Sequence, residues 1–400
     1  MKTTLKYIKL LLLVFCIGGA VSACKDDDDE EEVRQPELTI FMHQPKSGLE
    51  YALSRDLEEV NRALLANLEL EKKINVLYFR SDTKTGSLYK KPLAKDAKSG
   101  ENYIKDVLLK EYSLESINYT TENGLQQILS DVISIGQTER MIMVLGCHGT
   151  GWLPTYEDKS QKIKQKFKVY GTNIDKKYDT TFQTLGNAIE ATGKQFEAIV
   201  MDICLSQNIE VAYDLRNSCH YLIGSITEVG KNGLPYEDVI PNLYTKNFSA
   251  VCDKAIEYYQ KPDNTWKTAT FSVIDCNEVE PMADIIKQIN CAETNTVDRS
   301  TIQTFDGLDC TKEYGFNVLY DFSDYIHHYC GNKELLTKFD NQMKKLVVYN
   351  AFTPNFNADC FQNYYLRPIK TCCGVTSSAL CTEMQKEWQE TNWYKRTAGK

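Results

Sequence analysis

Two apolar segments of the chain end in residues capable of nucleophilic chemistry. The segment Arg140–Gly146 is followed by Cys147 and His148, and the segment Phe196–Ile203 is followed by Cys204. A histidine that takes the proton from a cysteine thiol produces a nucleophile that attacks carbonyl carbons. Imidazole suits this task because it titrates near neutral pH. If the two segments are neighbouring strands, the sequence predicts a Cys–His dyad.

Four other histidines compete with His148 for the role of base: His43, His220, His327 and His328. His43 is the main rival, because it lies near the end of another apolar segment. Only His148 lies among glycines, in "GCHGTG", where backbone approaches a substrate closely. The alternative is structural, since a cysteine that closes a buried strand is usually part of the core.

Strands and helices alternate along most of the chain. This pattern predicts an α/β fold, with a mainly parallel sheet covered by helices on both faces. Binding sites in such sheets form at the carboxyl ends of the strands. Predicted strands are 37–44, 73–82, 140–146, 196–203, 221–227 and 268–276, and predicted helices are 49–71, 124–136, 181–193, 205–219 and 278–289.

The pattern changes after Asn277, where the chain becomes less regular and richer in Cys and Tyr. We therefore predict a domain over residues 37–277 and a C-terminal, mostly helical region over 278–400. With 14 cysteines in an exported chain, some disulfides are expected in the C-terminal third.

The N-terminus predicts a targeting segment rather than part of the fold. Three lysines precede the apolar run Leu10–Val21, which is too short to span a bilayer. The sequence "VSAC" at Val21–Cys24 resembles the bacterial lipobox, which predicts a signal peptide over 1–23 and a lipidated Cys24. An ordinary secretory signal with a nearby cysteine is the alternative.

Residues 24–36 contain "KDDDDEEE", whose acids repel one another and bury nothing, so we predict a solvated tether. A lipidated cysteine followed by acids also resembles the surface-export signal of Bacteroidetes lipoproteins. The expected location is the cell envelope, anchored by lipid, on the outer membrane and exposed at the surface. The net charge of -9 gives no basic region for nucleic acid, so no nucleic-acid partner is predicted.

Two stretches, "MVLGCHGTGW" and "VMDICLSQNIEVAYDLR", resemble the clostripain family of cysteine peptidases, which belongs with caspase-like and gingipain-like enzymes. The later stretch "YLIGSITEVGKNGLPYE" is similar to the family's Ser-rich strand and Gly-x-x-Tyr segment. The resemblance implies a caspase-like sheet and an endopeptidase with His148 as base and Cys204 as nucleophile. Backbone N–H groups of Gly149 and Cys204 are expected to hold the oxyanion.

The resemblance places Asp202 at the pocket for P1, the substrate residue whose carbonyl is attacked, where it favours Arg or Lys. A structural acid that binds backbone N–H groups is the alternative. Glu228 is the predicted second acid, with Asp238 as the other candidate. Ile203 departs from the family, which usually has a small residue there, and the family's acidic stretch keeps only Glu228 in this chain.

Family members often mature by cleaving themselves after a Lys or Arg, and the 156–178 loop of this chain is rich in lysine. Self-processing there is one interpretation, and a solvated loop is the other. No calcium loop of Asp, Asn and Gly is present, so neither a metal nor a cofactor is predicted. The expected partners are protein or peptide substrates with Arg or Lys, and the membrane through Cys24. Two alternative functions remain. One is a catalytically degenerate surface lipoprotein that binds peptide or glycan without cleaving it, and the other is a surface scaffold in which His148 and Cys204 are part of a water-free core.

Overall fold

The structure is a computed structural model that describes residues 36–153, 170–171, 180–306, 316–360 and 363–399. The predicted signal peptide, Cys24 and nearly all of the tether lie outside these residues, as does most of the 156–178 loop.

Regular elements cover most of the described chain. The strands are β1 (Leu38–Gln44), β2 (Ile74–Ser81), β3 (Thr85–Lys90), β4 (Leu93–Lys95), β5 (Asn102–Ile104), β6 (Val107–Ser113), β7 (Arg140–Gly146), β8 (His148–Gly149), β9 (Tyr170–Gly171), β10 (Phe196–Asp202), β11 (Cys219–Gly224), β12 (Thr270–Asp275), β13 (Tyr320–Asp321), β14 (Val347–Phe352), β15 (Asn355–Cys360), β16 (Asn363–Pro368) and β17 (Thr376–Ser377). The helices are α1 (Glu50–Ala66), α2 (Leu68–Lys73), α3 (Glu122–Gly136), α4 (Phe182–Ala191), α5 (Ile209–Leu215), α6 (Tyr236–Tyr244), α7 (Phe248–Gln260), α8 (Val279–Asn290), α9 (Phe322–Tyr329), α10 (Lys333–Leu346), α11 (Gln385–Gln389) and α12 (Asn392–Thr397).

A nine-stranded sheet organises the fold, in the order β14-β12-β11-β10-β7-β1-β2-β3-β6. The five central strands, from β11 to β2, run parallel to one another. The two outer strands on each side are antiparallel to their neighbours. This arrangement confirms the predicted α/β class with a mainly parallel sheet.

The two faces of the sheet bury separate apolar clusters, because successive side chains of a strand point to opposite faces. On β1, Leu38, Ile40 and Met42 pack in one cluster with residues of α1, α6 and α7. Phe41 packs in the other cluster, with residues of α3, α4, α5 and α8. Burial on both faces explains why the central strands are nearly continuous apolar runs rather than alternating ones.

The last third of the chain is built into the same body. Residues 35–400 form a single compact unit, and β14 extends the main sheet beside β12. The change in sequence pattern at Asn277 therefore does not separate two units. Strand β14 was absent from the sequence prediction because it is an edge strand, and its partly exposed residues give no continuous apolar run.

The described cysteines of the C-terminal third are free thiols, so the disulfides expected there are not formed among Cys276, Cys291, Cys330, Cys372, Cys373 and Cys381. Within the described ranges, none of the helices combines the length and the hydrophobicity that a membrane span requires.

Candidate active site

His148 and Cys204 follow two neighbouring parallel strands at the same level of the sheet. Strands β7 and β10 pair in parallel, and the last pair in their register joins Gly146 to Asp202. His148 lies two residues after Gly146, and Cys204 lies two residues after Asp202. Adjacent strands are about 4.8 Å apart. The register therefore places His148 and Cys204 on neighbouring strand ends at the carboxyl edge of the sheet, where both residues are half-buried.

The rival histidines lie elsewhere. The ring of His43 is fully buried and stacks on Phe79, with ring centroids 5.3 Å apart. Burial lowers the pKa of His43 to about 3, so this side chain is a neutral member of the core. His220 is exposed next to the start of β11, at the opposite edge of the sheet, and His327 and His328 are exposed on α9.

A tight bend follows the predicted nucleophile. Leu205 has a φ of 55°, in the left-handed region that few non-glycine residues adopt. Its N–H donates to the Thr227 carbonyl at 2.9 Å, and its own carbonyl accepts from Asn208 Nδ2 at 2.7 Å. Helix α5 consequently begins at Ile209, so the predicted helix start at Leu205 was wrong. Such backbone conformations concentrate at functional sites, where the surrounding structure holds them.

Gly151 brings the histidine loop into direct contact with this bend. Its φ is 65°, and a Cβ at this position would lie 2.4 Å from Asn208 Nδ2 and 2.5 Å from the Leu205 carbonyl oxygen. Only glycine fits there, which accounts for the last glycine of "GCHGTG". The neighbouring Cys147 is buried in one of the two large apolar clusters.

The thiol of Cys204 contacts the backbone of Val229. Val229 N–H donates a hydrogen bond to Cys204 Sγ at 3.3 Å. The Cys204 thiol in turn donates to the Val229 carbonyl oxygen at 3.7 Å. Burial is the largest cause of a raised pKa, and the negative charge of Glu228 adds to it, so the pKa of Cys204 reaches about 12. At neutral pH this group is a protonated thiol and needs a base before it can attack.

Asp202 is a buried acid with one bound and one unbound oxygen. Its Oδ2 accepts hydrogen bonds from Leu234 N–H at 3.0 Å and from the Tyr236 hydroxyl at 2.8 Å. Its Oδ1 has no hydrogen-bond partner among the described residues. Burial raises the pKa of this carboxyl, and the two hydrogen bonds offset only part of that increase.

Asp56 on α1 is a second buried acid beside Asp202, and it was not predicted from the sequence. Burial, followed by the charge of Asp202, raises the pKa of Asp56 to about 9. Its Oδ1 also has no partner in the described part of the chain. The sequence contains one indication of its burial. Asp56 lies between Leu53 and Leu57 on the apolar face of the helix, where an acid is unusual.

The loop that holds Val229 against the thiol is anchored from several sides. Arg55 donates to the Asn232 side chain at 2.8 Å and to the Asn232 carbonyl at 2.9 Å. The Tyr259 hydroxyl lies 3.0 Å from the Gly230 carbonyl and 2.9 Å from the Gly233 carbonyl. Together with the bonds to Asp202, these contacts fix the segment that follows Glu228.

Glu228 is half-buried next to the thiol, whereas Asp238 is exposed in the first turn of α6.

Gly149, the predicted oxyanion donor, pairs with Tyr170 in a short two-stranded ladder. Across the described ranges, no group of three or more His, Cys, Asp and Glu side chains is placed to hold a metal ion.

The profile of the clostripain family matches residues 40–370 of the sequence. The chain belongs to the clostripain family. It is therefore a cysteine peptidase, as the paired strand ends at His148 and Cys204 suggested. A comparison with curated protein sequences finds no match.

Three solved structures of the same family resemble this chain, and two of them cover about nine-tenths of it. A secreted C11 cysteine protease from Bacteroides thetaiotaomicron, called iotapain, has a TM-score of 0.76 at 28% identity, over 90% of this chain and 99% of that one. An inactive zymogen C11 protease from Parabacteroides distasonis has a TM-score of 0.73 at 23% identity, over 91% and 98%. A Bacteroides thetaiotaomicron clostripain, in complex with the peptide inhibitor BTN-VLTK-AOMK, has a TM-score of 0.51 at 30% identity, over 57% and 99%.

The contact at Gly151 gives a testable prediction. We expect Gly151→Ala to lower kcat/KM at least tenfold, because the added methyl pushes the histidine loop away from the bend at Leu205. Gly193→Ala is the matched control, since Gly193 has a similar φ of 70° with nothing within 4 Å of its Cβ position. It should cost about 1 kcal/mol of stability without loss of turnover. Equal activity of the two variants would contradict this role of Gly151.

Proposed function

We propose that this peptidase cleaves peptide bonds after Arg or Lys, with Cys204 as nucleophile and His148 as general base. The observation that carries the proposal is the register of β7 and β10, in which His148 and Cys204 lie at equal distances beyond the last paired residues. The family supports peptidase chemistry, and the two strand ends supply the residue types that it needs.

The state of the thiol suggests the order of events. With a pKa of about 12, Cys204 starts as a thiol, and His148 takes the proton as sulfur bonds to the substrate carbonyl carbon. The resulting oxyanion accepts hydrogen bonds from the N–H groups of Gly149 and Cys204. His148 then gives the proton to the leaving amine, the C–N bond breaks, and water hydrolyses the thioester to restore the thiol.

The preference for a basic P1 residue rests on the buried acids. Asp56 and Asp202 each have a carboxyl oxygen without a partner in the described part of the structure, and Glu228 adds a negative charge near the thiol. Burial raises the pKa of both aspartates because it disfavours the charged form, so a cationic P1 side chain beside them stabilises that charged form and gains an ion pair. The inhibitor bound to the Bacteroides clostripain has a peptide portion that ends in Lys, which supports the same preference.

The dyad predicts the behaviour of two variants. Cys204→Ala and His148→Ala should each reduce turnover of Arg or Lys reporter peptides by about a thousandfold or more, because nucleophile and base act as one unit. Alkylation of the wild-type thiol by iodoacetamide, measured by mass spectrometry, should keep accelerating between pH 6 and 9, since the pKa of Cys204 lies above that range.

The same variants test self-processing. Wild-type protein should separate into two fragments on a denaturing gel after cleavage within the 156–178 loop, whereas Cys204→Ala stays intact.

Wild-type activity retained by His148→Ala would refute the dyad. Wild-type protein that binds peptides without cleaving any of them would instead support the degenerate lipoprotein.

The acids near the thiol give a prediction about specificity. Asp202→Asn should lower kcat/KM for a Lys substrate about tenfold or more relative to a norleucine substrate, because a charge–charge contact with P1 is lost. Glu228→Gln should do the same to a smaller extent, since this side chain is less buried. Asp238→Asn, on the exposed start of α6, should leave the ratio unchanged. A selective loss at Asp238 would assign the second acid there instead.

We further propose that Cys24 is lipidated and anchors the enzyme to the outer membrane, with the acidic tether leading to the outside. The "VSAC" sequence supports this, and the related Bacteroides protease is described as secreted. The anchor would bring the catalytic domain to substrates outside the cell.

Lipidation predicts a difference between two cysteines of the N-terminus. Wild-type protein should incorporate labelled palmitate and sediment with membranes, whereas Cys24→Ser should do neither. Cys16→Ser is the matched control, because Cys16 lies within the predicted signal peptide and should leave labelling unchanged. Equal labelling of the two variants would exclude Cys24 as the acceptor.

A further inference from the structure

We propose that Glu210 and Ser378 position the catalytic histidine loop, through one hydrogen bond to Trp152, and so act as positioning residues for the reaction. The inference rests on the proposed role of His148 and adds residues for which the sequence resemblance gave no role. Trp152 and Glu210 are far apart in the sequence, and Ser378 lies in the C-terminal part of the chain.

Trp152 connects the histidine loop to the C-terminal part of the chain. It lies four residues after His148, and only Gly149, Thr150 and Gly151 separate them. Its indole is buried, and Nε1 donates to Ser378 Oγ at 2.6 Å. A loop with two glycines in three residues has little stiffness of its own. The anchored indole therefore fixes the end of the loop that carries the base.

Ser378 is held in turn by Glu210, in the first turn of the helix that follows the nucleophile. Ser378 N–H donates to Glu210 Oε1 at 3.0 Å, and the Trp388 indole donates to the same oxygen at 2.8 Å. Glu210 is 1% exposed, and burial raises its pKa to about 7. A carboxyl in such a place costs free energy that an apolar side chain would not, which indicates a use for its hydrogen bonds.

The segment Gly374–Ser378 also contacts the bend after Cys204. Thr376 N–H donates to the Gln207 carbonyl at 3.1 Å, and Thr376 forms a parallel bridge with Asn208. One stretch of backbone thus touches the segment after the nucleophile and, through Ser378, the loop after the base. Misplacement of catalytic groups by about 1 Å can cost about a hundredfold in rate, so this double contact bears directly on turnover.

The test removes the Trp152–Ser378 bond from either side. Trp152→Phe keeps an aromatic ring but has no N–H, and Ser378→Ala has no hydroxyl. We expect each variant to lower kcat about tenfold with KM changed less than twofold, on a peptide that the wild-type enzyme cleaves. The double variant should be no slower than either single one, since all three lack the same bond.

Two further substitutions separate positioning from general damage. Glu210→Gln keeps the oxygen that accepts from Ser378 and Trp388 and should retain kcat within about threefold, whereas Glu210→Ala should lose about tenfold or more. Tyr349→Phe removes a 2.6 Å hydrogen bond to Asp253 elsewhere in the C-terminal third and should leave kcat unchanged. Active-site titration, with kcat given per titrated site, confines the comparison to folded enzyme.

The outcomes distinguish this inference from the proposed function. Wild-type kcat in Trp152→Phe and Ser378→Ala, with His148→Ala inactive, would overturn the positioning role and leave the dyad intact. Additive losses in the double variant would also overturn it, because the two residues would then act independently. Full activity of His148→Ala would refute the dyad itself, and the inference with it.

Discussion

The pairing of β7 with β10 is the constraint on which the site depends. These two parallel strands hold Gly146 opposite Asp202, so the residues that follow them emerge side by side. A slip of one residue would send every side chain of one strand to the other face of the sheet. The buried residues of both strands, packed between two apolar clusters, make such a slip very costly. The core therefore fixes the placement of His148 relative to Cys204.

Beyond the strands, close contacts between loops complete the arrangement. The histidine loop packs through Gly151 on the bend at Leu205, and the loop after Glu228 packs on the thiol through Val229. The half-buried Arg55 and the buried Asp202 hold that second loop, since both form hydrogen bonds to it. The site thus combines a rigid strand edge with loops that are held by polar groups, a common division in enzymes whose loops carry the chemistry.

Much of this arrangement was predictable from the sequence. Long apolar runs predicted β7 and β10, and the reactive residue types after these runs predicted a site at His148 and Cys204. The elements that escaped prediction share a physical cause, because their signal is in contacts between distant parts of the chain. Asp56 interrupts the apolar face of α1, but only the packing of α1 reveals that a second acid, Asp202, lies beside it. The contacts of Ser378 join it to Trp152 and Glu210, which lie more than a hundred residues away in the sequence. Strand β14 is a partly exposed edge strand, so it has no continuous apolar run.

The thiol held by Val229 also bears on how Cys204 resists oxidation. Peroxides and disulfides react with thiolates, so a cysteine that remains protonated is oxidised slowly. Burial and the nearby charge of Glu228 keep Cys204 in that form, with a pKa of about 12. A more acidic nucleophile would be ready for attack at all times and equally open to sulfenic acid formation. A Cys204 that keeps its proton gives the resting enzyme chemical durability towards oxidants.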